Sequence, residues 1–172
     1  RMGEPERPIT DAEVAEFSAH GVACARGLFG EQWIQLLERR IHAIARDPSI
    51  LRGKPVQPGV FLGDSFVWKQ FDEFRDFARY SPAAKIAQRF LGSRRINLFH
   101  DQLFIKPAGC SMPTPWHHDV TFWPISGTQI CTIWIALGEI SQRNGTLEFI
   151  RGSNRWQRRF VARRPDDLAY MM

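Results

Sequence analysis

Hydrophobic positions recur along this chain with two different periods, and the change falls near residue 95. Between Glu31 and Arg46, residues Ile34, Leu37, Ile41 and Ile44 return every three or four positions with Trp33 on the flank, while Arg39, Arg40 and Arg46 face water. That spacing predicts an amphipathic helix, on which His42 is a surface or packing residue. Ahead of it, Thr10-Asp11-Ala12-Glu13 has the form of a capping box. It predicts a short helix that buries Val14 and Phe17 and stops near Gly21. Val22 to Ala25 then reads as a small strand. A third helix is predicted from Ser81-Pro82, as N-cap and first residue, through Ile86, Ala87, Phe90 and Leu91 to Gly92.

Beyond that point the period shortens toward two. Ile96–Lys106, Thr128–Leu137 and Thr146–Ile150 read as strands, with Asn144-Gly145 as a tight turn before the last. Phe66 to Phe77 is aromatic and charged by turns, predicting a strand and then a turn of helix. Residues 47–63 carry Pro48, Gly53, Pro55, Pro58, Gly59 and Gly63 and read as a long loop, the kind used as a lid or substrate loop. Helices first and strands afterwards define a mainly β domain with N-terminal helices (α+β), not a parallel α/β sheet. The 172 residues make one domain, with 10–92 as helical support and 93–172 as the sheet portion.

Composition narrows the function classes. No apolar run approaches the roughly 18 residues of a membrane span, and no signal-peptide pattern opens the chain. Cys24, Cys110 and Cys131 are odd in number and far apart, so the expectation is reduced thiols and a cytoplasmic location. The net charge of +5 comes largely from Arg151, Arg155, Arg158, Arg159, Arg163 and Arg164. With no nucleic-acid-binding motif beside it, this cluster reads as a solvated surface, and neither a nucleic-acid nor a membrane partner is expected.

Candidate chemistry concentrates in Trp116-His117-His118-Asp119. In an extended segment His117 and Asp119 point the same way and His118 the other. An imidazole and a carboxylate side by side form two thirds of a 2-His-1-carboxylate site for non-haem iron. As a bare H-x-D triplet this is weak, and a hydrogen-bonded His–Asp pair is the competing explanation.

The surroundings add specificity. Four stretches together resemble the phytanoyl-CoA dioxygenase family of Fe(II)- and 2-oxoglutarate-dependent oxygenases. They are Phe17-Ser18-Ala19-His20-Gly21-Val22, the run Asp101 to Pro107, Thr114 to Asp119 with Trp123-Pro124, and Ile133 to Leu137 leading to Asn144 through Ser153. The resemblance implies a double-stranded β-helix (jelly-roll, cupin-like), with His117 and Asp119 as iron ligands and Lys69, Gln102 and Trp134 as 2-oxoglutarate contacts. It implies hydroxylation of an unactivated C–H bond in a small-molecule or acyl-type substrate, with O2 as co-substrate. Related halogenating enzymes have a small residue in place of the carboxylate, so Asp119 points to hydroxylation. The alternative is a degenerate, metal-free jelly-roll serving as a binding module.

Two departures from the pattern stand out. Where the family usually reads Gly-Ser-His, this chain has Gly152-Ser153-Asn154. The histidines lie at 20, 42, 100, 117 and 118, so the distal histidine ligand and the arginine after it are expected beyond Met172. His100 is assigned a supporting role, and nothing in their spacing recommends Cys110 or Cys131 as ligands. A β-helix incomplete in this way would leave open sheet edges, which further residues or pairing with another chain, such as a homo-oligomer, would cover.

Overall fold

The computed structural model describes residues 3–51, 62–110 and 113–161. Its first helix, α1 (Asp11–His20), begins at the capping box: the Thr10 hydroxyl accepts from the Glu13 amide at 3.2 Å, and the Glu13 carboxylate accepts from the Thr10 amide at 2.8 Å. Arg7 adds two hydrogen bonds to the same carboxylate. At the other end Gly21 takes the left-handed conformation (φ 77°), and its amide donates to the Phe17 carbonyl at 2.7 Å. A side chain at that position would also collide with Asn154, whose Cβ lies 2.6 Å from where a Cβ on Gly21 would stand.

Helix α2 (Glu31–Arg46) matches its predicted span and buries Leu37 and Ile44. Arg40 departs from the expected water-facing role. Its guanidinium makes a two-pronged pair with Glu73 at 2.7 and 2.8 Å and lies 5.0 Å from the Phe71 ring centroid. Glu73 belongs to α3 (Asp72–Tyr80), a full helix where one turn was expected. Phe71, Phe74 and Phe77 are three apart, a spacing that serves a helix face; Phe74 and Phe77 are buried against α2. Helix α4 (Ala83–Leu91) buries Ile86 and Ala87 and ends at Gly92 as predicted. Its start is shifted: Pro82 is the capping residue, and the Ser81 hydroxyl accepts from the Ala83 amide at 3.3 Å. Phe90 meets Phe17 of α1 edge-on at 5.4 Å.

Two strands form one antiparallel ladder: β1 (Leu62–Ser65) pairs with β2 (Gln102–Ile105), Ser65 opposite Gln102 and Leu62 opposite Ile105. β2 falls inside the predicted 96–106 run. β1 lies where the end of a loop was expected; near the start of that loop Pro48–Ile50 form a 3-10 turn, and 52–61 are outside the described residues. Val22–Ala25 forms no strand, since four apolar-rich residues have no neighbouring ladder to join. Residues 128–137 and 146–150 also form no ladder among the described residues. Burial nevertheless alternates along the first of these: Cys131, Ile133, Ile135 and Leu137 are half-buried, while Thr132, Trp134 and Ala136 are exposed. Asn144-Gly145 makes the predicted turn, with the Asn144 amide donating to the Ser141 carbonyl at 3.1 Å. No helix among the described residues is long and apolar enough to cross a membrane.

The core gathers Leu37, Ile44, Leu51, Val67, Phe74, Phe77 and Leu103, and Ile135 and Leu137 pack on its edge. Ile44 is fully buried, so Ile44→Ala is expected to lower unfolding free energy by about 2–5 kcal/mol, measured by urea denaturation.

A second expectation concerns acid. Hydrogen bonds from Arg7 and from the Thr10 amide hold the Glu13 carboxyl at about 2, below its ordinary 4.5. The unfolded chain therefore takes up the proton first as pH falls. The stabilisation is complete above about 4.5 and is lost progressively toward 2. Glu13→Gln keeps a capping-box acceptor but not the charge. The stability gap between the native chain and this variant should close between pH 5 and 2.

Candidate metal centre

The His117–Asp119 segment is built on backbone geometry. His118 is extended (φ −104°, ψ 125°) and caps a short 3-10 turn, Asp119–Phe122. Extension at 118 puts the side chains of 117 and 119 on one side, and His117 Nε2 lies 3.1 Å from Asp119 Oδ1. His117 Nδ1 is 2.7 Å from the Pro115 carbonyl, which can only accept, so Nδ1 carries the hydrogen. That leaves Nε2 in the neutral ring as a lone pair aimed beside a carboxylate oxygen. The arrangement is the one metal-ligating histidines use, with the far nitrogen donating to a backbone carbonyl and fixing the tautomer. The other carboxylate oxygen, Asp119 Oδ2, accepts from the Thr132 hydroxyl at 3.1 Å. The sequence marks Thr132 only by its position on the same alternating face as Trp134.

The pair is accessible, His117 being 24% and Asp119 48% exposed at the side chain. Phe122 stands edge-on to the His117 ring at 5.4 Å and limits rotation on one side. Among the described residues, no third His, Cys, Asp or Glu joins the two in a metal-sized cluster. Burial pushes the Cys131 thiol up, which makes it a poorer source of thiolate. His100 lies in an aromatic group with Phe66, Phe99 and Trp123, at 5.0–5.6 Å.

The remaining candidates fall into two places. Lys69 and Gln102 flank one junction between the helices and the sheet. The Phe66 amide donates to the Asp101 carbonyl at 2.8 Å, and the Trp68 amide donates to the Asp101 carboxylate at 3.0 Å. Phe66 adopts the left-handed conformation (φ 58°), which a bulky side chain rarely takes. Lys69 Nζ sits 4.8 Å from the Phe66 ring centroid and 5.5 Å from that of Trp68. Gln102 donates to the Ser65 hydroxyl across the ladder at 3.3 Å. Trp134 is instead two residues from Thr132, on its exposed face. The His100–Trp123 contact, 5.4 Å between centroids, connects the junction to the segment that carries His117 and Asp119.

The described residues of this chain thus assemble a helical buttress, a short antiparallel ladder and a His-x-Asp pair whose histidine is oriented by a carbonyl. The sequence matches the family model described as phytanoyl-CoA dioxygenase over residues 17–171, and the chain belongs to that family. It is 29% identical over 85 residues to a probable alpha-ketoglutarate-dependent hypophosphite dioxygenase of Stutzerimonas stutzeri. That match covers 49% of this chain and 29% of the relative, so the chain spans less than a third of that protein's length. No solved structure matches.

Asp101 offers a test of the junction. Desolvation raises its carboxyl above the ordinary 3.8, and Oδ1 is buried without a protein partner. Because the folded state resists ionisation, the unfolded chain gives up the proton first as pH rises, and stability is lost above about 3.8. Asn keeps the carbonyl acceptor that the Trp68 amide needs. Asp101→Asn should therefore melt no lower than the native chain at pH 7, with any gain vanishing on acidification below the ordinary carboxyl range. A large loss of melting temperature at pH 7 would contradict this account.

Proposed function

We propose that this chain carries the iron-binding edge of a 2-oxoglutarate-dependent dioxygenase that hydroxylates an unactivated C–H bond of a small-molecule or acyl-type substrate. One observation carries the reading: the His117 ring is fixed by the Pro115 carbonyl so that Nε2 and an Asp119 oxygen, 3.1 Å apart, face the same space. A divalent ion taking both would replace the His117–Asp119 contact with two metal bonds. Family membership and the relative named as alpha-ketoglutarate-dependent support the cofactor pair. Family membership also supports a cupin-like, double-stranded β-helix; in this reading 10–92 is its helical support and 93–172 its first part.

In this reading His117 and Asp119 supply two of three protein ligands to Fe(II), and the Thr132 hydroxyl holds Asp119 in its ligating rotamer. Bound Fe(II), 2-oxoglutarate and O2 together supply the oxidation: the co-substrate leaves as succinate and CO2, and one oxygen atom enters the substrate as a hydroxyl. Lys69 provides a cation for a carboxylate of 2-oxoglutarate, held near Phe66 and Trp68 by their ring faces. Gln102 provides an amide at the strand edge, and Trp134 provides a flat wall on the Thr132 side. The left-handed backbone at Phe66 and the Asp101 bonds set where Lys69 can stand. The relative's printed substrate, hypophosphite, is a small anion, and the basic balance of this chain suits an anionic substrate too.

Anaerobic titration of the protein with Fe(II) and 2-oxoglutarate should produce a weak visible charge-transfer band. His117→Ala and Asp119→Ala should each abolish the band while leaving the melting temperature nearly unchanged, because both side chains are partly exposed. A large stability loss in these variants, with no band in the native protein, would instead identify the pair as structural and the chain as a metal-free binding module.

A further inference from the structure

His118 is engaged with a different part of the chain from its two neighbours. Its amide donates to the Phe160 carbonyl at 2.7 Å, and the Phe160 amide donates back to its Nδ1 at 3.0 Å. Since Nδ1 accepts, the ring hydrogen of the neutral form is on Nε2. The imidazole also lies 5.7 Å from the Phe160 ring and 6.2 Å from the Trp156 ring, which are themselves 5.8 Å apart. Two reciprocal bonds and two ring contacts thus bind residues 156–160 to the residue between His117 and Asp119.

Beside this cluster is a shallow hollow of about 320 Å³ lined by Trp156, Gln157, Arg158 and Phe160. Its walls are two aromatic rings, and its polar groups are one guanidinium and one amide. From Phe149 to Pro165 the chain contains Arg151, Arg155, Arg158, Arg159, Arg163 and Arg164 and no Asp or Glu. Arg158 has no ion-pair partner among the described residues. A planar cation with no ion-pair partner among the described residues, lining one hollow with two aromatic rings, can take a carboxylate whose carbon body lies on the rings.

We infer that this hollow is a subsite for an amphiphilic organic acid: Arg158 forks the carboxylate, Trp156 and Phe160 cover the apolar body, and His118 fixes the subsite to the iron-binding segment. Binding of the acid stands on its own, whereas its part in turnover rests on the dioxygenase reading. The subsite deepens that reading by naming the substrate class. His118 is then a positioning residue, which touches neither iron nor substrate.

Isothermal titration of the full chain, without iron, with 4-phenylbutyrate and with its neutral amide tests the inference. The acid should bind saturably and the amide at least tenfold more weakly, as expected from loss of a charge-assisted pair. Arg158→Gln should weaken the acid by a similar factor and leave the amide unchanged; Arg158→Lys, which keeps charge but not the fork, should fall between. Arg143→Gln, at an exposed arginine of the 141–145 turn that does not line the hollow, should behave like the native chain. His118→Phe keeps an aromatic ring but not the acceptor for the Phe160 amide, and should weaken the acid while retaining the Fe(II)–2-oxoglutarate band. Equal binding of acid and amide, or native affinity in Arg158→Gln, overturns the subsite even if the band is present. Charge-selective binding without a band leaves the subsite standing and removes only the dioxygenase reading.

Discussion

A half-buried carboxylate must find donors within the protein, and Asp101 finds its donor on the far side of a strand crossing. The bond from the Trp68 amide to its side chain, with the bond from the Phe66 amide to its carbonyl, is the constraint on which the rest of the structure depends. It closes β1 onto β2 at their Ser65–Gln102 end and forces the backbone through the left-handed conformation at Phe66. The fully buried Val67 is thereby driven into the core formed by α2 and α3.

The functional segment depends on that junction through two bridges. Trp123 meets His100, next to Asp101, while Ile135 and Leu137 rest on the core and leave Thr132 facing Asp119. His117 and Asp119 themselves lie on a surface, with little packing to hold them. Their geometry is imposed by hydrogen bonds to Pro115 and Thr132 rather than by burial. Such a site can change its ligands without disturbing the fold beneath it.

What could be read from residue order alone divides along physical lines. Local signals were dependable: the Thr10–Glu13 box, the apolar stripe of α2, and the glycines at 21 and 92 each encode their own hydrogen bonds. The same held for extension at 118, which put His117 beside Asp119. Signals that need a partner were weaker. Val22–Ala25 and Thr128–Leu137 have strand-like composition, but a strand exists only through its neighbour, and β1 was hidden because Leu62-Gly63-Asp64-Ser65 has little β propensity. Helix α3 reads as only a single turn in the sequence because charges between its phenylalanines imitate alternation. Arg40 looked like a solvent-facing residue because its partner, Glu73, is 33 positions away. Thr132 and the His118–Phe160 link were invisible for the same reason, being tertiary bonds between residues with no pattern of their own.

The meeting of Gly21 with Asn154 bears on how this chain could vary over time. Gly21 ends α1 in a conformation that favours glycine, while the Asn154 side chain occupies the space where any Cβ would project, and the Gly152 amide donates to the His20 carbonyl at 2.9 Å. Positions 21 and 154 are therefore not free to drift independently. A bulkier residue at 154 presses directly on the α1 terminus, and a side chain at 21 displaces the loop leading to Trp156. The stretch that departs from the family's Gly-Ser-His is thus the one seated on the end of α1, so the residue at 154 must be one that fits against a bare glycine.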